Sequence, residues 1–355
     1  MTACTDDKLA AEIKSAALAL GYDKCGLIKI AEVADYTARL EQRSADFPAD
    51  RPFLEHFKSL GRPEEKFPWA KSILVTVWDL GVYKVPEHLL GHIGKYFTVD
   101  GRRDPQAPVH QASLELGEFM AVRGLRAETE RDYGYIALRL AAERAGLGRI
   151  RRNNFFYTEK GSCVWIEAWL IDRELELKGS AQLKACPDKC DKCLRACPTG
   201  SLCGPFKMSP TNCAAFRAFN PAGGDWSRDP LGPKMDGWLL GCDACQDACP
   251  FNAQAWRPEK DFPGLEELSE RISLAKLVEA DYDFLRQVLS PKFWYIDPDQ
   301  VWRWKANALN AMVNDYRPEY ERSINKARDD EDERVRALAV WAAERTSTPD
   351  KAAFG

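Results

Sequence analysis

Two short cysteine runs, each ending in Cys-Pro, constrain this chain more than any other feature of its sequence. Nine of its twelve cysteines lie between residues 186 and 249. The runs are Cys186-x3-Cys190-x2-Cys193-x3-Cys197-Pro198 and Cys242-x2-Cys245-x3-Cys249-Pro250. Bacterial ferredoxins with two [4Fe–4S] clusters use C-x2-C-x2-C-x3-C-P runs, in which the last cysteine of each run ligates the other cluster. The spacing therefore predicts two [4Fe–4S] clusters in this chain.

This crossing of the last cysteines predicts which thiols bind each cluster. Cluster one takes Cys186, Cys190, Cys193 and Cys249. Cluster two takes Cys197, Cys242, Cys245 and one further thiol. Cys203 and Cys213 are the two candidates for that place. In cluster one, Cys186 is the poorest match to the ferredoxin spacing, because three residues and not two separate it from Cys190. The alternative is a pair of zinc sites, which seldom have paired Cys-x3-Cys-Pro endings.

The sequence around the cysteines predicts three regions. Residues 1–182 alternate helical and strand patterns, with Ser72–Trp78 as the clearest buried strand, and indicate an α/β domain. Residues 183–265 are rich in Cys, Pro and Gly, as expected of a ferredoxin-like two-cluster module held by metal–thiolate bonds. Residues 266–355 are again helical, with helices predicted at Leu274–Val288, Pro298–Asn314, Glu319–Arg328 and Glu333–Thr346. They form either HEAT-like helix pairs or a small appendage. The predicted fold class is α+β/α.

Composition excludes several classes of protein. The 355-residue chain is 45% hydrophobic and 29% charged, which is typical of a globular protein. It contains no apolar run of the roughly 18 residues that a membrane span needs. It starts without a basic region and an apolar stretch, so we expect a cytoplasmic protein without a secretory signal. A net charge of −4 means that RNA binding would need a local basic patch.

A ferredoxin needs only the cluster module, whereas this chain has many residues outside it. This indicates that the electrons pass to an acceptor bound by the rest of the chain. No G-x-G-x-x-G opens a helix after a strand, so a dinucleotide fold is unsupported. No C-x-x-C-H motif indicates covalent haem. Spacing rules alone do not identify the acceptor.

Further motifs give the chain a resemblance to a known family. They cover most of its length and are Leu18–Gly26, Asp132 followed by Ala145–Gly148, Arg149–Asn154, Gly161-Ser162, Gly241–Asn252 and Trp302–Leu309. In these segments the chain resembles the epoxyqueuosine reductase family, relatives of the reductive dehalogenases. The departures noted below suggest a divergent paralogue.

The resemblance implies a cofactor and a direction of electron flow. Members of that family bind cobalamin without covalent attachment, beside one cluster. Electrons would pass from an external donor such as ferredoxin or flavodoxin through two [4Fe–4S] clusters to cobalamin, and then to the substrate. The corrinoid contacts implied by the resemblance are Gly148, Ile150, Arg152, Asn153, Gly161 and Ser162.

The resemblance also implies roles for three further residues. The spacing from Cys197 to Cys213 matches that of the family, which favours Cys213 over Cys203 as the last cluster ligand. Asp132 occupies the position of the catalytic aspartate, although an aspartate here could instead cap the following helix. Tyr96 lies near a tyrosine segment of the family and is a candidate proton donor, with a core-edge tyrosine as the alternative.

Departures from the family pattern concentrate around the inferred active site. Tyr135 replaces a proline, and Arg151-Arg152 replaces a Gly-Lys pair. Residues 271–355 contain 14 Lys and Arg against 15 Asp and Glu, whereas phosphate contacts need Lys and Arg. The remaining candidates for a basic patch are Arg303, Lys305, Arg317 and Arg322.

These observations predict an iron–sulfur and cobalamin-dependent reductase of the deoxygenation or dehalogenation type, with a small-molecule or modified-nucleoside substrate. One alternative is a genuine tRNA epoxyqueuosine reductase in queuosine biosynthesis, with tRNA as its partner. A second alternative is a ferredoxin-like electron-transfer protein, or a corrinoid reductase, without a substrate of its own.

Overall fold

The computed structural model describes residues 2–131, 134–220 and 224–347. The strands are β1 (Lys24–Lys29), β2 (Ser72–Asp79), β3 (Ala127–Thr129), β4 (Arg149–Ile150), β5 (Phe156–Tyr157), β6 (Val164–Ile171), β7 (Leu202–Gly204) and β8 (Lys207–Met208). The α-helices are α1 (Thr2–Ala19), α2 (Tyr36–Asp46), α3 (Arg51–Glu55), α4 (Lys95–Thr98), α5 (Pro108–Val122), α6 (Leu138–Arg144), α7 (Lys192–Arg195), α8 (Ala214–Arg217), α9 (Ala244–Asp247), α10 (Leu265–Ser269), α11 (Leu274–Glu279), α12 (Tyr282–Phe284), α13 (Ser290–Lys292), α14 (Trp302–Asn314), α15 (Glu321–Lys326) and α16 (Glu333–Ser347).

A four-stranded antiparallel sheet with the order β1-β2-β6-β3 forms the centre of the N-terminal region. Every residue of β2 and β6 is buried, which confirms the buried strand predicted at Ser72–Trp78. Successive side chains of a strand point to opposite faces. Leu74 accordingly packs in the cluster that contains residues of α1 and α5, whereas Ile73 and Val75 pack with residues of α6.

The strands on either side of Lys160-Gly161 are joined by a turn but do not pair with each other. β5 pairs with β4, while β6 pairs with β2 and β3. Thr158 and Gly161 exchange two backbone hydrogen bonds of 3.0 and 3.1 Å, which close a tight turn. Gly161 has a φ of 107°, which favours glycine because it has no Cβ. The turn redirects the chain before β6 begins.

The cysteine-rich segment contains short elements. Helices α7 and α9 have four residues each and pack against one another. Each ends just before a Cys-Pro pair, and proline cannot continue a helix because it lacks the backbone N–H. Between them, β7 and β8 form a small antiparallel hairpin. Pro198 and Pro250 thus limit each helix to a single turn that brings its cysteine toward the other run.

The C-terminal region is helical, as predicted, and packs around α14. This helix contacts α11 and α16 and buries most of its residues on all sides. The helix predicted at Leu274–Val288 is instead broken, since α11 ends at Glu279 and α12 starts after Asp281. The Asp281 carboxylate accepts a 2.6 Å hydrogen bond from the Phe284 backbone N–H, and such a cap starts a new helix.

The basic patch suggested for this region is not formed, because two of its four residues are buried in α14. Arg303 is 0% exposed and Lys305 is 4% exposed. Lys305 Nζ lies 2.6 Å from Asp330 Oδ2 and over the ring of Tyr282. Arg317 and Arg322 are exposed.

One hydrophobic cluster contains side chains from all three predicted regions. It includes Ile13 from α1, Ala214 from α8 and Leu309 from α14. The packing is therefore continuous across the chain, and the division at residues 182 and 265 stays a prediction. None of the helices within the described residues is both long and apolar enough to cross a bilayer.

The contact between β4 and β5 gives a first testable prediction. A Cβ on Gly148 would collide with the Tyr157 carbonyl oxygen and the Phe156 ring, whereas one on Gly204 would meet only the Lys207 side chain at 3.6 Å. Because overpacking a tight site costs about 1–3 kcal/mol, we expect Gly148→Ala to lower the thermal unfolding midpoint. Gly204→Ala is the control, and equal midpoints for the two variants would contradict the packing described here.

Candidate iron–sulfur site and adjoining cavity

Four cysteine side chains surround a small cavity beside α7. The thiols that line it are Cys186, Cys190, Cys193 and Cys249. Burial raises the pKa of the Cys193 thiol, and the other three thiolates add to this shift by repulsion. The last cysteine of the second run thus joins three cysteines of the first run. This is the set of thiols that the crossed spacing predicted for cluster one.

A second group of thiols forms around Cys245. Burial raises the pKa of the Cys245 thiol well above its ordinary value, with further contributions from the thiolates of Cys213, Cys242 and Cys197. Burial likewise raises the pKa of the Cys242 thiol to about 12, and Cys213 and Cys197 again contribute. The Cys203 thiol lies apart on β7, exposed and 3.8 Å from the Lys207 carbonyl oxygen. The structure therefore brings Cys213, and not Cys203, into this group.

The two groups of thiols suit a polynuclear iron centre. Metal ligation requires the thiolate form, so buried thiols with raised pKa values need positive charge between them. A cubane spreads its four thiolates over four iron atoms. The Cys193 thiolate also contributes to the shift at Cys245, so the two groups are neighbours.

A cavity of about 1270 Å³ lies between the central sheet and the cysteine-rich segment. Residues of α2, α6, β4, β5 and β6 contribute to its wall. Its volume exceeds the roughly 300–1,000 Å³ of ordinary ligand pockets. The wall includes Cys186 from the first thiol group and Cys242 from the second. A large ligand in this cavity would lie beside both groups of thiols.

The wall of this cavity is basic. Of the described residues that line it, eight are Arg or Lys and three are Asp or Glu. Such a surplus of positive charge attracts anionic groups such as phosphates. The basic residues are Arg39, Arg43, Arg102, Arg139, Arg149, Arg151, Arg152 and Lys207.

Tyr96 lies on the cavity wall within a polar cluster. The Arg102 guanidinium donates a hydrogen bond to the Tyr96 hydroxyl oxygen. Arg102 Nε donates to Asp100 at 3.0 Å, and the Tyr295 hydroxyl donates to the same carboxylate at 2.7 Å. Burial raises the pKa of the Tyr96 hydroxyl, although the positive charge of Arg102 opposes this shift. Tyr96 therefore keeps its proton at neutral pH.

The predicted corrinoid contacts divide into residues on the wall and residues behind it. Ile150, Arg152 and Ser162 line the cavity. The other three, Gly148, Asn153 and Gly161, lie behind this wall in packing or hydrogen-bonding positions. Gly148 packs on β5, and Gly161 packs on Ala255. Asn153 Nδ2 donates to the Tyr157 hydroxyl at 2.9 Å and to the Cys245 carbonyl oxygen at 3.3 Å. Asp132, the predicted catalytic acid, lies outside the described residues.

Sequence reasoning missed the residues that surround Tyr96. Arg102, Asp100 and Tyr295 belong to no motif at ligand spacing, and Tyr295 comes from the C-terminal region. Only tertiary packing brings Tyr295 to Asp100, so no local signal could have identified it.

Comparisons with known proteins agree with this geometry. Residues 185–252 match the protein family described as "4Fe-4S double cluster binding domain". The epoxyqueuosine reductase of Gloeobacter violaceus is 29% identical over 254 residues, which cover 70% of this chain and 77% of the relative. That of Leadbetterella byssophila is 25% identical over 69% of this chain and 80% of the relative.

Solved structures show the same fold. The epoxyqueuosine reductase of Streptococcus thermophilus aligns with a TM-score of 0.74 at 20% identity, covering 96% of this chain and 91% of that one. A crystal structure of epoxyqueuosine reductase with a modified tRNA stem loop gives 0.73 at 22% identity, with the same coverage. The curated relatives and the match at residues 185–252 indicate that the chain is an oxidoreductase with an iron–sulfur domain. The predicted resemblance to the epoxyqueuosine reductases is likewise confirmed.

The placement of Cys213 gives a second testable prediction. Two [4Fe–4S] clusters contain about eight iron atoms, so losing one would leave about four. We expect Cys213→Ala to cause this loss in anaerobically purified protein, because its thiol lies with Cys242 and Cys245. Cys203→Ala is the matched control and should retain all the iron. Iron loss in the control, with full iron in Cys213→Ala, would reverse the assignment.

Proposed function

We propose that this protein is an iron–sulfur and cobalamin-dependent reductase that acts on an epoxyqueuosine-type modified nucleoside in tRNA. The main support is the large cavity whose wall includes Cys186 and Cys242, since electrons from either cluster could reach a ligand there. Similarity to an epoxyqueuosine reductase solved with an epoxyqueuosine-modified tRNA stem loop favours the tRNA substrate over the other substrates that the sequence departures favoured. The tRNA enzyme was the alternative in the sequence-based interpretation and is now the leading proposal.

Cluster ligation in this proposal follows the two thiol groups. Cluster one would be held by Cys186, Cys190, Cys193 and Cys249. Cluster two would be held by Cys197, Cys213, Cys242 and Cys245. Residues 183–265 would form the two-cluster module between an α/β reductase region at 1–182 and a HEAT-like helical region at 266–355.

The cavity fits a corrinoid in size and in charge. A corrin ring with its nucleotide needs more room than most ligands, and its phosphate needs a cationic contact such as the basic wall provides. Ile150, Arg152 and Ser162 would hold it from the side of the cluster module. When bound, the corrinoid would supply a metal centre able to pass electrons from the clusters to the substrate.

Protons would be handled by Tyr96 and Asp132. Arg102 donates to the Tyr96 hydroxyl oxygen, so the hydroxyl hydrogen must point elsewhere. A tyrosine that keeps its proton at neutral pH can donate it to a product atom within hydrogen-bond reach. Asp132 remains the predicted catalytic acid from its sequence position.

Electrons would enter at the first cysteine run. Pro187, Asp188 and Lys189 between Cys186 and Cys190 are exposed, so a carrier such as ferredoxin or flavodoxin could approach cluster one there. Single electrons would then pass between neighbouring clusters and on to the cavity.

A turnover assay tests the proposal. Protein reconstituted anaerobically with iron, sulfide and cobalamin should reduce epoxyqueuosine in tRNA at low salt. Tyr96→Phe should lower kcat by roughly 10²–10⁴-fold, as expected on losing a positioned acid, with little change in KM. Tyr83→Phe is the control, because Tyr83 is a buried tyrosine outside the described cavity lining. Inactivity of the fully loaded protein on this tRNA would reject the substrate.

A second candidate is a reductase of a small molecule. Burial of Arg303 and Lys305 in α14 removes half of the suggested basic patch, which favours a substrate other than nucleic acid. The same reconstituted protein would then bind cobalamin and reduce a small epoxide or organohalide, yet leave tRNA unchanged. Clusters without corrinoid binding would instead indicate an electron-transfer protein.

A further inference from the structure

Two consecutive arginines lie against the first cysteine run. Arg151 and Arg152 line the cavity between the thiols of the first group. These arginines replace the Gly-Lys pair of the family, which is one departure already described. They lie beside a second departure, the extra residue between Cys186 and Cys190. Their contacts relate these two departures to each other.

Arg152 fastens the lengthened loop. One nitrogen of its guanidinium donates to the Cys190 carbonyl oxygen at 2.7 Å, and another donates to the Asp188 carbonyl oxygen at 2.8 Å. The planar fork of arginine can hold two acceptors at a fixed separation, which lysine cannot do. The Arg152 carbonyl oxygen in turn accepts a 2.9 Å hydrogen bond from the Phe206 backbone N–H. The loop is thus tied to the β7–β8 connection.

Arg151 contacts a thiol directly. Its side chain donates from Nη1 to Cys186 Sγ at 3.7 Å, and its guanidinium carbon lies 3.4 Å from the centre of the Phe251 ring. The residue is only 2% exposed. Its buried Nε has no hydrogen-bond partner among the described residues. A buried cation needs a counter-charge, and a Cys186 thiolate with its cluster provides one.

We propose that these two arginines form a clamp on cluster one, in which Arg152 fixes the ligand loop and Arg151 raises the cluster's reduction potential. A [4Fe–4S]²⁺ cluster that accepts one electron from a low-potential carrier gains one negative charge. Hydrogen bonds to sulfur and nearby positive charge stabilise that reduced state. The inference rests on the cluster ligation proposed above.

The clamp bears on the direction of electron flow. Cys186 lies on the wall of the large cavity as well as in the first thiol group. Raising the potential of cluster one makes it easier to reduce from outside. Arg151 is therefore a tuning residue, which acts on the cluster through Cys186 and does not touch the substrate in this proposal.

The potential of cluster one tests the proposal directly. Anaerobic titration with dithionite, followed by electron paramagnetic resonance, should show that Arg151→Met makes cluster one about tenfold harder to reduce, or ~59 mV for a one-electron couple. Cluster two should be unchanged. Arg195→Met is the matched control, because Arg195 carries the same charge in the same segment but is exposed and pairs with Asp191. Arg195→Met should leave both potentials unchanged.

Further variants separate tuning from a structural role. Arg151→Lys keeps the charge but loses the fork and should show a smaller shift in the same direction. Arg152→Gln should speed the loss of iron from cluster one, since two loop contacts are lost. If Arg151→Met does not retain cluster one, the potential is measured in Arg151→Lys. The clamp would be overturned if the Arg151 variants kept all their iron and left both reduction potentials unchanged. It would also be overturned if Arg152→Gln retained iron as well as the wild type does. A wild-type protein without cubanes would instead reject the proposed ligation.

Discussion

The structure depends on bringing thiols together in two compact groups. Burial and repulsion between neighbouring thiolates raise the pKa values of thiols such as Cys242 and Cys245. Without iron, these thiols would therefore favour the protonated form, which does not ligate metal. Positive charge from bound iron would reverse this balance. Helices α7 and α9 are single turns that end just before Cys-Pro pairs, and they direct the cysteine of each pair toward the other run.

The same arrangement places the large cavity. The antiparallel sheet supplies one wall through β6, and the cysteine-rich segment supplies another through Cys186 and Cys242. Because one hydrophobic cluster continues from α1 to α16, these walls are held by shared packing. A ligand bound there is therefore within reach of both thiol groups, of Tyr96 and of a basic surface. This juxtaposition is the basis of the proposed electron path.

Short-range patterns gave the predictions that the structure matches best. Cysteine spacing, a continuous apolar strand and helical periodicity all depend on residues close in sequence, so β2 and most helices were recognisable. The errors involve long-range contacts or local caps. The break at Asp281 follows from one side-chain hydrogen bond, and the burial of Arg303 follows from tertiary packing. The cluster of Arg102 with Asp100 and Tyr295 has no local signature for the same reason.

The central claim is that each thiol group binds a cubane of iron. X-ray diffraction from anaerobic crystals, with data at the iron and zinc absorption edges, tests it most directly. The account predicts two compact sets of four iron atoms, one inside the group that contains Cys193 and one inside the group that contains Cys245. Isolated single-atom peaks at the zinc edge, or iron bound through Cys203, would contradict it.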